Sequence, residues 1–186
     1  MSRRLAPGDL ALAGLFAALV SLGAFVSVPF FGPVPFTLQV VFVLLAGLVL
    51  GARLAALSLT VYVLMGLVAP VYAQGASGPG ALVGPAGGYL FGFVIAAGLV
   101  GWLAERFRPR AAWSMLLLTL AGLVPIYAVG ATWLALQLHT SSFHVVVWGG
   151  IVQFLPADVA KAVAAAITAR ALISLPLDLA VTSKVR

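Results

Sequence analysis

The sequence FLPADVAK, at residues 154–161, places two opposite charges at the start of an apolar stretch. Asp158 and Lys161 are the only ionisable residues well inside a predicted membrane span, because the other charges fall at span ends or in the tails. A charge at the centre of a membrane helix costs about 2.5–3.5 kcal/mol. Since residues three apart share one side of a helix, the pair indicates either a neutralising ion pair or a ligand site.

The composition places the whole chain in a membrane. Its 186 residues are 63% hydrophobic and only 8% charged, whereas a soluble domain carries about 25% charged residues. The net charge of +6 does not indicate nucleic-acid binding, because the basic residues are scattered at the ends of apolar runs, as topology signals are. The chain has no cysteine, which excludes a disulfide framework, a thiol nucleophile and a cysteine metal site.

The apolar runs predict a single membrane domain, residues 1–186, of six transmembrane helices, since a span needs about 20 apolar residues. The first helix is expected to be retained rather than cleaved as a signal peptide. Thr37 is a suitable cap for the second helix, and Pro156 suits the first turn of the sixth. Residues 143–150 fit either a short interfacial helix or an early start of the sixth. The predicted helices cover about residues 9–28, 37–51, 53–69, 86–104, 111–136 and 156–175.

The basic residues predict the orientation of these helices. If the N-terminus is cytoplasmic, the three outer connections contain no Lys or Arg. This agrees with the positive-inside rule and predicts that both termini are cytoplasmic. The residues on the cytoplasmic side are then Arg3, Arg4, Arg53, Arg106, Arg108, Arg110, Arg170, Lys184 and Arg186.

Three distant segments are expected to meet at the outer side. Residues 70–86 are rich in Gly and Pro and uncharged, which is typical of a loop that folds over helix ends as a lid. The Pro-rich turn at residues 29–36 and the start of the sixth helix lie at the same level. Because a helix N-terminus favours a carboxylate, Asp158 is well placed there. The arrangement predicts a ligand pocket that faces outward.

The sequence GPAGGYLFGF, at residues 84–93, has two interpretations. Gly88 and Gly92 are spaced as a small-residue face for close helix packing. Alternatively, Gly87 and Gly88 let a ligand approach backbone N–H groups at a helix start, while Tyr89 supplies a ring and a hydroxyl.

A second small-residue face lies on the first predicted helix. Ala13 and Ala17 are one helical turn apart, with Gly14 nearby. Such a face serves either internal packing or docking of another membrane subunit.

No catalytic or metal-binding machinery is visible in the sequence. HExxH, GxSxG and P-loop motifs are absent. His139 and His144 have no carboxylate or cysteine partner nearby, so no metal site is expected. The sequence therefore predicts a protein that is not an enzyme and does not itself hydrolyse ATP.

Three motifs in the right order resemble the BioY proteins, the biotin-binding substrate subunits (S components) of energy-coupling-factor (ECF) transporters. They are PVPFTLQ at residues 33–39, GPAGGYLFGF at residues 84–93 and FLPADVAK at residues 154–161. The resemblance covers nearly the whole chain. Ala86, where the family often has Thr, and Ala157, where it often has Gly, depart from the pattern without removing a charged group.

The resemblance implies an S-component fold in the plasma membrane of a prokaryote that binds biotin with high affinity from outside. The partners would be a transmembrane coupling subunit and two cytoplasmic ABC-type ATPases. Biotin would be the transported ligand, and no cofactor is expected. By the same match Ala13 and Ala17 are similar to the alanine motif that docks on the coupling subunit. The ligand-binding residues implied are Asp158, Lys161, Tyr89, Gly87, Gly88, Gln39 and Thr37.

Biotin chemistry fits these residues independently. Lys161 can meet the valerate carboxylate and Asp158 a ureido N–H, although the residues do not fix which group lies nearest which side chain. Three alternatives remain: an S component for another vitamin, an ion-coupled carrier using Asp158 and Lys161 as a proton relay, and a scaffolding membrane protein in which the ion pair is a packing element.

Overall fold

The computed structural model of the chain describes residues 6–29, 32–139 and 142–174. Within these ranges the protein is almost entirely helical, as predicted. The basic tail residues Arg3, Arg4, Lys184 and Arg186, and the end of the sixth predicted helix at residue 175, lie outside the described residues. The helices are α1 Pro7–Phe25, α2 Gln39–Leu50, α3 Ala52–Met65, α4 Gly78–Val83, α5 Gly87–Phe107, α6 Ala112–Gln137, α7 Phe143–Val147 and α8 Leu155–Ser174.

Four helical segments in the described ranges are long and apolar enough to cross a membrane. They are α1, α5, α6 and the continuous segment Trp148–Ser174, which ends in α8. Helices α2 and α3 are also apolar but have only 12 and 14 residues. A helical architecture with four candidate membrane spans in the described residues is therefore confirmed.

The connection between α1 and α2 contains a small β-pair that the sequence does not predict. Strand β1 (Ser27–Val28) pairs antiparallel with β2 (Phe36–Thr37), so that Ser27 lies opposite Thr37. Thr37 therefore belongs to a strand, and α2 begins at Gln39 rather than at residue 37. The Thr37 hydroxyl still accepts the backbone N–H of Gln39 at 3.4 Å, which satisfies one free donor of the helix start.

The predicted hairpin of the second and third helices is present. Gly51 alone connects α2 to α3, with φ at +79°, a conformation that glycine adopts without strain. Glu105 of α5 accepts the backbone N–H of Ala52 at 3.0 Å and so ties the hairpin to the end of α5. Helix α3 ends at Met65, earlier than predicted, where the ring of Tyr72 packs directly on Gly66.

Helices α2 and α5 form the centre of the bundle. Helix α5 packs on α2, α3 and α6, whereas α2 also packs on α1 and α8. A Cβ atom on Gly47 of α2 would lie only 2.7 Å from Cβ of Val100 on α5, so this glycine allows the two central helices to approach closely. The N-terminal ends of α2, α5 and α8 surround the cavity described below.

The segment before α8 is helical, and part of it continues into α8. A short helix, α7, is followed directly by a π-helical turn at Trp148–Val152, and α8 then begins at Leu155, one residue before Pro156. A π-helical turn is rare and frequently lies at a functional site. Here the turn lies beside the cavity, because its Gly150 carbonyl accepts a hydrogen bond from a cavity residue, Tyr89.

Candidate functional site

A cavity of about 280 Å³ lies where the three distant segments were expected to meet. Its wall includes residues of the Pro-rich turn, of the 70–86 loop and of the start of α8. The predicted convergence of these segments is confirmed. The volume is close to the lower end of ordinary small-molecule pockets, which span roughly 300–1,000 Å³.

Asp158 and Lys161 form a buried ion pair in the cavity wall. The Lys161 ammonium donates to Asp158 Oδ1 at 2.7 Å, and the two residues are only 4% and 6% exposed. The other carboxylate oxygen, Oδ2, accepts the hydroxyl of Tyr127 on α6 at 2.6 Å. Both carboxylate oxygens are thus held by a protein donor, and the pair carries no net charge.

The Lys161 ammonium also lies over the ring of Phe36 in β2, 3.6 Å from the ring centroid. Such a cation–π contact favours the charged amine. An ammonium has three N–H donors, and within the described parts of the chain only Asp158 accepts one of them. Lys161 therefore has unused donors in the wall of the cavity.

Gln39 and Thr37 form a second polar group in the same wall. Thr37 donates its hydroxyl to Gln39 Oε1 at 3.1 Å, and Gln39 Nε2 donates to the hydroxyl of Tyr62 on α3 at 2.6 Å. The two residues are therefore brought to the cavity, as the sequence predicts.

Tyr89 connects the cavity to the π-helical turn. The residue lines the cavity from α5, and its hydroxyl donates to the carbonyl of Gly150 at 2.7 Å. The ring packs on Gly130 of α6, where a Cβ atom would lie 2.4 Å from ring carbons. Tyr89 is thus fixed by two neighbours while one surface remains available to a ligand.

Gly87 and Gly88 do not line the cavity, which corrects the expectation that a ligand contacts them. A Cβ atom on Gly87 would lie 1.7 Å from the carbonyl oxygen of Leu82, at the end of α4. On Gly88 it would lie 2.2 Å from Cβ of Trp133 on α6. Both glycines therefore allow close packing between protein segments.

We expect Gly88→Ala to lower the stability of the protein, because the new methyl group meets Trp133 at 2.2 Å and the carbonyl oxygen of Val129 at 2.9 Å. Overpacking of this kind costs about 1–3 kcal/mol. The measurement is the thermal unfolding midpoint of the purified protein in detergent. Gly98→Ala is the matched control on the same helix, because its methyl group meets nothing nearer than 3.6 Å. Equal midpoints for the two variants would contradict the packing role of Gly88.

The small-residue face of α1 is also internal. Ala13 and Ala17 are 2% and 0% exposed, and the carbonyl of Ala13 accepts the hydroxyl of Ser58 on α3 at 2.7 Å. A subunit cannot dock on side chains that are already buried. The docking alternative for these two residues is therefore corrected to internal packing.

The 70–86 loop is folded against the helix ends by specific contacts. Its Gly78 N–H donates to the carbonyl of Gly66 at 2.7 Å, and its Gly84 carbonyl accepts the indole N–H of Trp133 at 2.9 Å. Tyr72 donates to the carbonyl of Val63, and burial raises the pKa of its phenol. The loop thereby closes one side of the cavity.

Sequence reasoning missed three aromatic residues of the site: Tyr127, Phe36 and Tyr62. Phe36 contacts Lys161, and Tyr62 contacts Gln39. In both pairs the two residues are far apart in the sequence. Tyr127 offered a usable signal, because a phenol in the middle of an apolar helix needs a hydrogen-bond partner. Its partner proves to be Asp158.

Comparison with known proteins agrees with this geometry. The sequence model that defines the BioY family matches residues 1–176. A protein of Thermotoga maritima named "Biotin transporter BioY" is 44% identical over 171 residues, which cover 91% of this chain and 98% of that protein. A protein of the same name from Rhodobacter capsulatus is 37% identical over 173 residues, with 87% and 91% covered.

The fold has a close counterpart among solved structures. A crystal structure described as the S-component for biotin from an ECF-type ABC transporter superimposes with a TM-score of 0.84. The match covers 92% of this chain and 96% of that one, at 23% sequence identity. At this identity the likeness concerns the fold alone.

Proposed function

The chain belongs to the BioY family, and from this premise we propose that it is the biotin-binding substrate subunit of an ECF-type vitamin transporter. The observation that carries the proposal is the buried Asp158–Lys161 pair, which has no net charge and lies in a cavity that the 70–86 loop closes on one side. The relatives described above are named as transporters, which confirms the prediction that the chain is not an enzyme.

The polar groups of the cavity suit biotin. The ligand has a ureido ring with two N–H donors and one acceptor, an apolar bicyclic body and a carboxylate. Asp158 offers an acceptor beside the Lys161 donor, 2.7 Å away, and this side-by-side pair complements either the ureido group or a carboxylate with a neighbouring donor. Aromatic walls such as Tyr89 and Phe93 can cover the apolar body.

We further propose that all six apolar segments span the membrane, with α2 and α3 as the two short spans and both termini in the cytoplasm. The distribution of basic residues supports this orientation. In this proposal the cavity lies on the outer side of the plasma membrane of a prokaryote, with the 70–86 loop as its lid. A cysteine introduced in that loop tests the orientation. A thiol reagent that cannot cross the membrane should label it when added outside the cell.

A transmembrane coupling subunit and two cytoplasmic ABC-type ATPases are proposed as the partners that energise uptake. The chain has no nucleotide-binding loop of its own, so the energy of ATP has to come from other subunits. No cofactor is needed for this role, since biotin is cargo.

A vitamin panel tests the function directly. We expect biotin to stabilise the purified protein against thermal unfolding, by about 2.7 kcal/mol at a concentration 100 times its Kd. Riboflavin and thiamine at the same concentration should leave the unfolding midpoint unchanged. Stabilisation by another vitamin and not by biotin would instead favour the alternative S component.

The ion-coupled carrier is distinguished by its energy source. A carrier that uses Asp158 and Lys161 as a proton relay would take up ligand alone in vesicles, driven by a pH gradient. Lys161, Asp158 and Tyr127 form one hydrogen-bonded chain, which is compatible with either role, so uptake measured without ATP decides between the two functions.

A further inference from the structure

Behind the cavity wall, a chain of hydrogen bonds runs from Thr37 through Gln39 and Tyr62 to the carbonyl of Val71. Thr37 and Gln39 line the cavity, whereas Tyr62 lies behind them with no exposed surface. The Tyr62 hydroxyl is 2.6 Å from Gln39 Nε2 and 3.4 Å from the Val71 oxygen. Tyr62 therefore joins a cavity residue to the first residues of the 70–86 loop.

The far end of this chain fixes its direction. A backbone carbonyl can only accept, so the single hydroxyl proton of Tyr62 points to Val71. The Tyr62 oxygen then has to accept from Gln39, which requires the amide nitrogen to face Tyr62. At the near end the amide oxygen faces Thr37, whose hydroxyl donates to it.

The opposite orientation of the Gln39 amide is disfavoured, because it leaves donors and acceptors of this chain without partners. With the oxygen of Gln39 facing Tyr62, the tyrosine proton would be drawn to the amide and the Val71 carbonyl would lose its donor. The amide nitrogen would then face Thr37 Oγ1, and the Thr37 hydroxyl proton would lose Gln39 Oε1 as its acceptor. Buried polar groups left without partners are costly, so the observed orientation is selected.

This orientation has a consequence for ligand recognition. The amide nitrogen of Gln39 carries two N–H groups, and only one is used by Tyr62. Among the described residues no acceptor is bound to the second, and Gln39 lines the cavity. Gln39 is therefore set to offer a donor to a ligand acceptor such as a carboxylate or carbonyl oxygen.

We propose that Tyr62 is a positioning residue for ligand binding: it locks the amide of Gln39 so that the cavity presents an N–H donor to an acceptor oxygen of the ligand. The inference rests on the proposed function and adds to it a specificity element that lies outside the cavity. Tyr62 itself touches no ligand.

A double-mutant cycle on biotin affinity tests the proposal. We expect Tyr62→Phe to weaken biotin binding about five- to tenfold, because one directed hydrogen bond of the site is lost. In a Gln39→Ala background the same substitution should change the Kd by less than about twofold, since coupled residues are not additive. Kd is measured by calorimetry in detergent, and the ligand-free unfolding midpoint is measured in parallel.

Ser58→Ala is the matched control. Ser58 lies one turn from Tyr62 on α3, is fully buried, and donates its hydroxyl to the carbonyl of Ala13, away from the cavity. We expect this variant to lose a buried hydrogen bond without a change in biotin Kd. An equal loss of affinity from Tyr62→Phe in both backgrounds would show a merely structural role and overturn the proposal.

A second variant covers the case in which Tyr62→Phe does not fold. Gln39→Glu keeps the shape and can still accept from Thr37 and Tyr62, but it has no N–H donor and adds a negative charge. We expect it to weaken biotin binding at least about tenfold, and an unchanged Kd would overturn the proposal.

If the wild-type protein does not bind biotin, the proposed function falls and the inference falls with it. If wild-type binding is normal, the cycle decides the inference alone.

Discussion

Lys161→Ala is expected to weaken biotin binding about 30-fold or more while the protein remains folded. Loss of one partner of a buried, hydrogen-bonded charge pair in a binding site costs roughly 2–5 kcal/mol. Asp158 keeps its hydrogen bond from Tyr127 in this variant, which limits the loss of stability. Calorimetric titration of the purified protein with biotin measures the effect.

Arg170→Ala is the matched control for Lys161→Ala. Arg170 lies on the same helix, nine residues further on, is exposed, and does not line the cavity. Its removal should leave the Kd for biotin unchanged. A Lys161→Ala variant with wild-type affinity would remove Lys161 from the ligand site and leave the ion pair as a packing element.

Asp158→Ala is expected to have the largest effect on stability. The substitution leaves the buried ammonium of Lys161 with only the Phe36 ring as a described partner, and it also takes the acceptor from Tyr127. Breaking a buried ion pair from one side costs about 3–5 kcal/mol. We therefore expect a lower unfolding midpoint than for Lys161→Ala, measured without ligand.

The double variant Asp158→Ala, Lys161→Met separates the two roles of the pair. Removing both charges, with methionine in place of the lysine stem, should restore much of the stability, because a buried ion pair can be replaced by apolar residues at little cost. Biotin binding should remain lost. If the double variant binds biotin as the wild type does, the pair serves packing and another part of the cavity holds the ligand.

Local signals in the sequence were sufficient to predict the main parts of the site. Two charges in an apolar helix identified Asp158 and Lys161, and the density of Gly and Pro identified the 70–86 loop. Their convergence followed from helix order alone and is confirmed by the cavity wall. Both arguments work because a charge in a membrane and a break in a helix are costly wherever they occur.

The residues that the sequence did not predict depend on contacts between distant elements. The role of Phe36 appears only once β2 lies beside α8, and two-residue strands are too short to show an alternating pattern. The sequence left two roles open for Gly88, close approach of a ligand and close packing of a neighbouring helix. A glycine has the same sequence signal in both cases. The position of Trp133 decides between them.

The short length of α2 has a consequence for the position of a bound ligand. Its 12 residues extend about 18 Å at 1.5 Å per residue, whereas the hydrocarbon core of a bilayer is about 30 Å thick. In the proposed orientation, Gln39 at the outer end of α2 therefore lies in a recess, about 12 Å below the outer edge of the hydrocarbon. In that orientation a ligand bound beside Gln39 would lie within the thickness of the hydrocarbon core rather than at its surface.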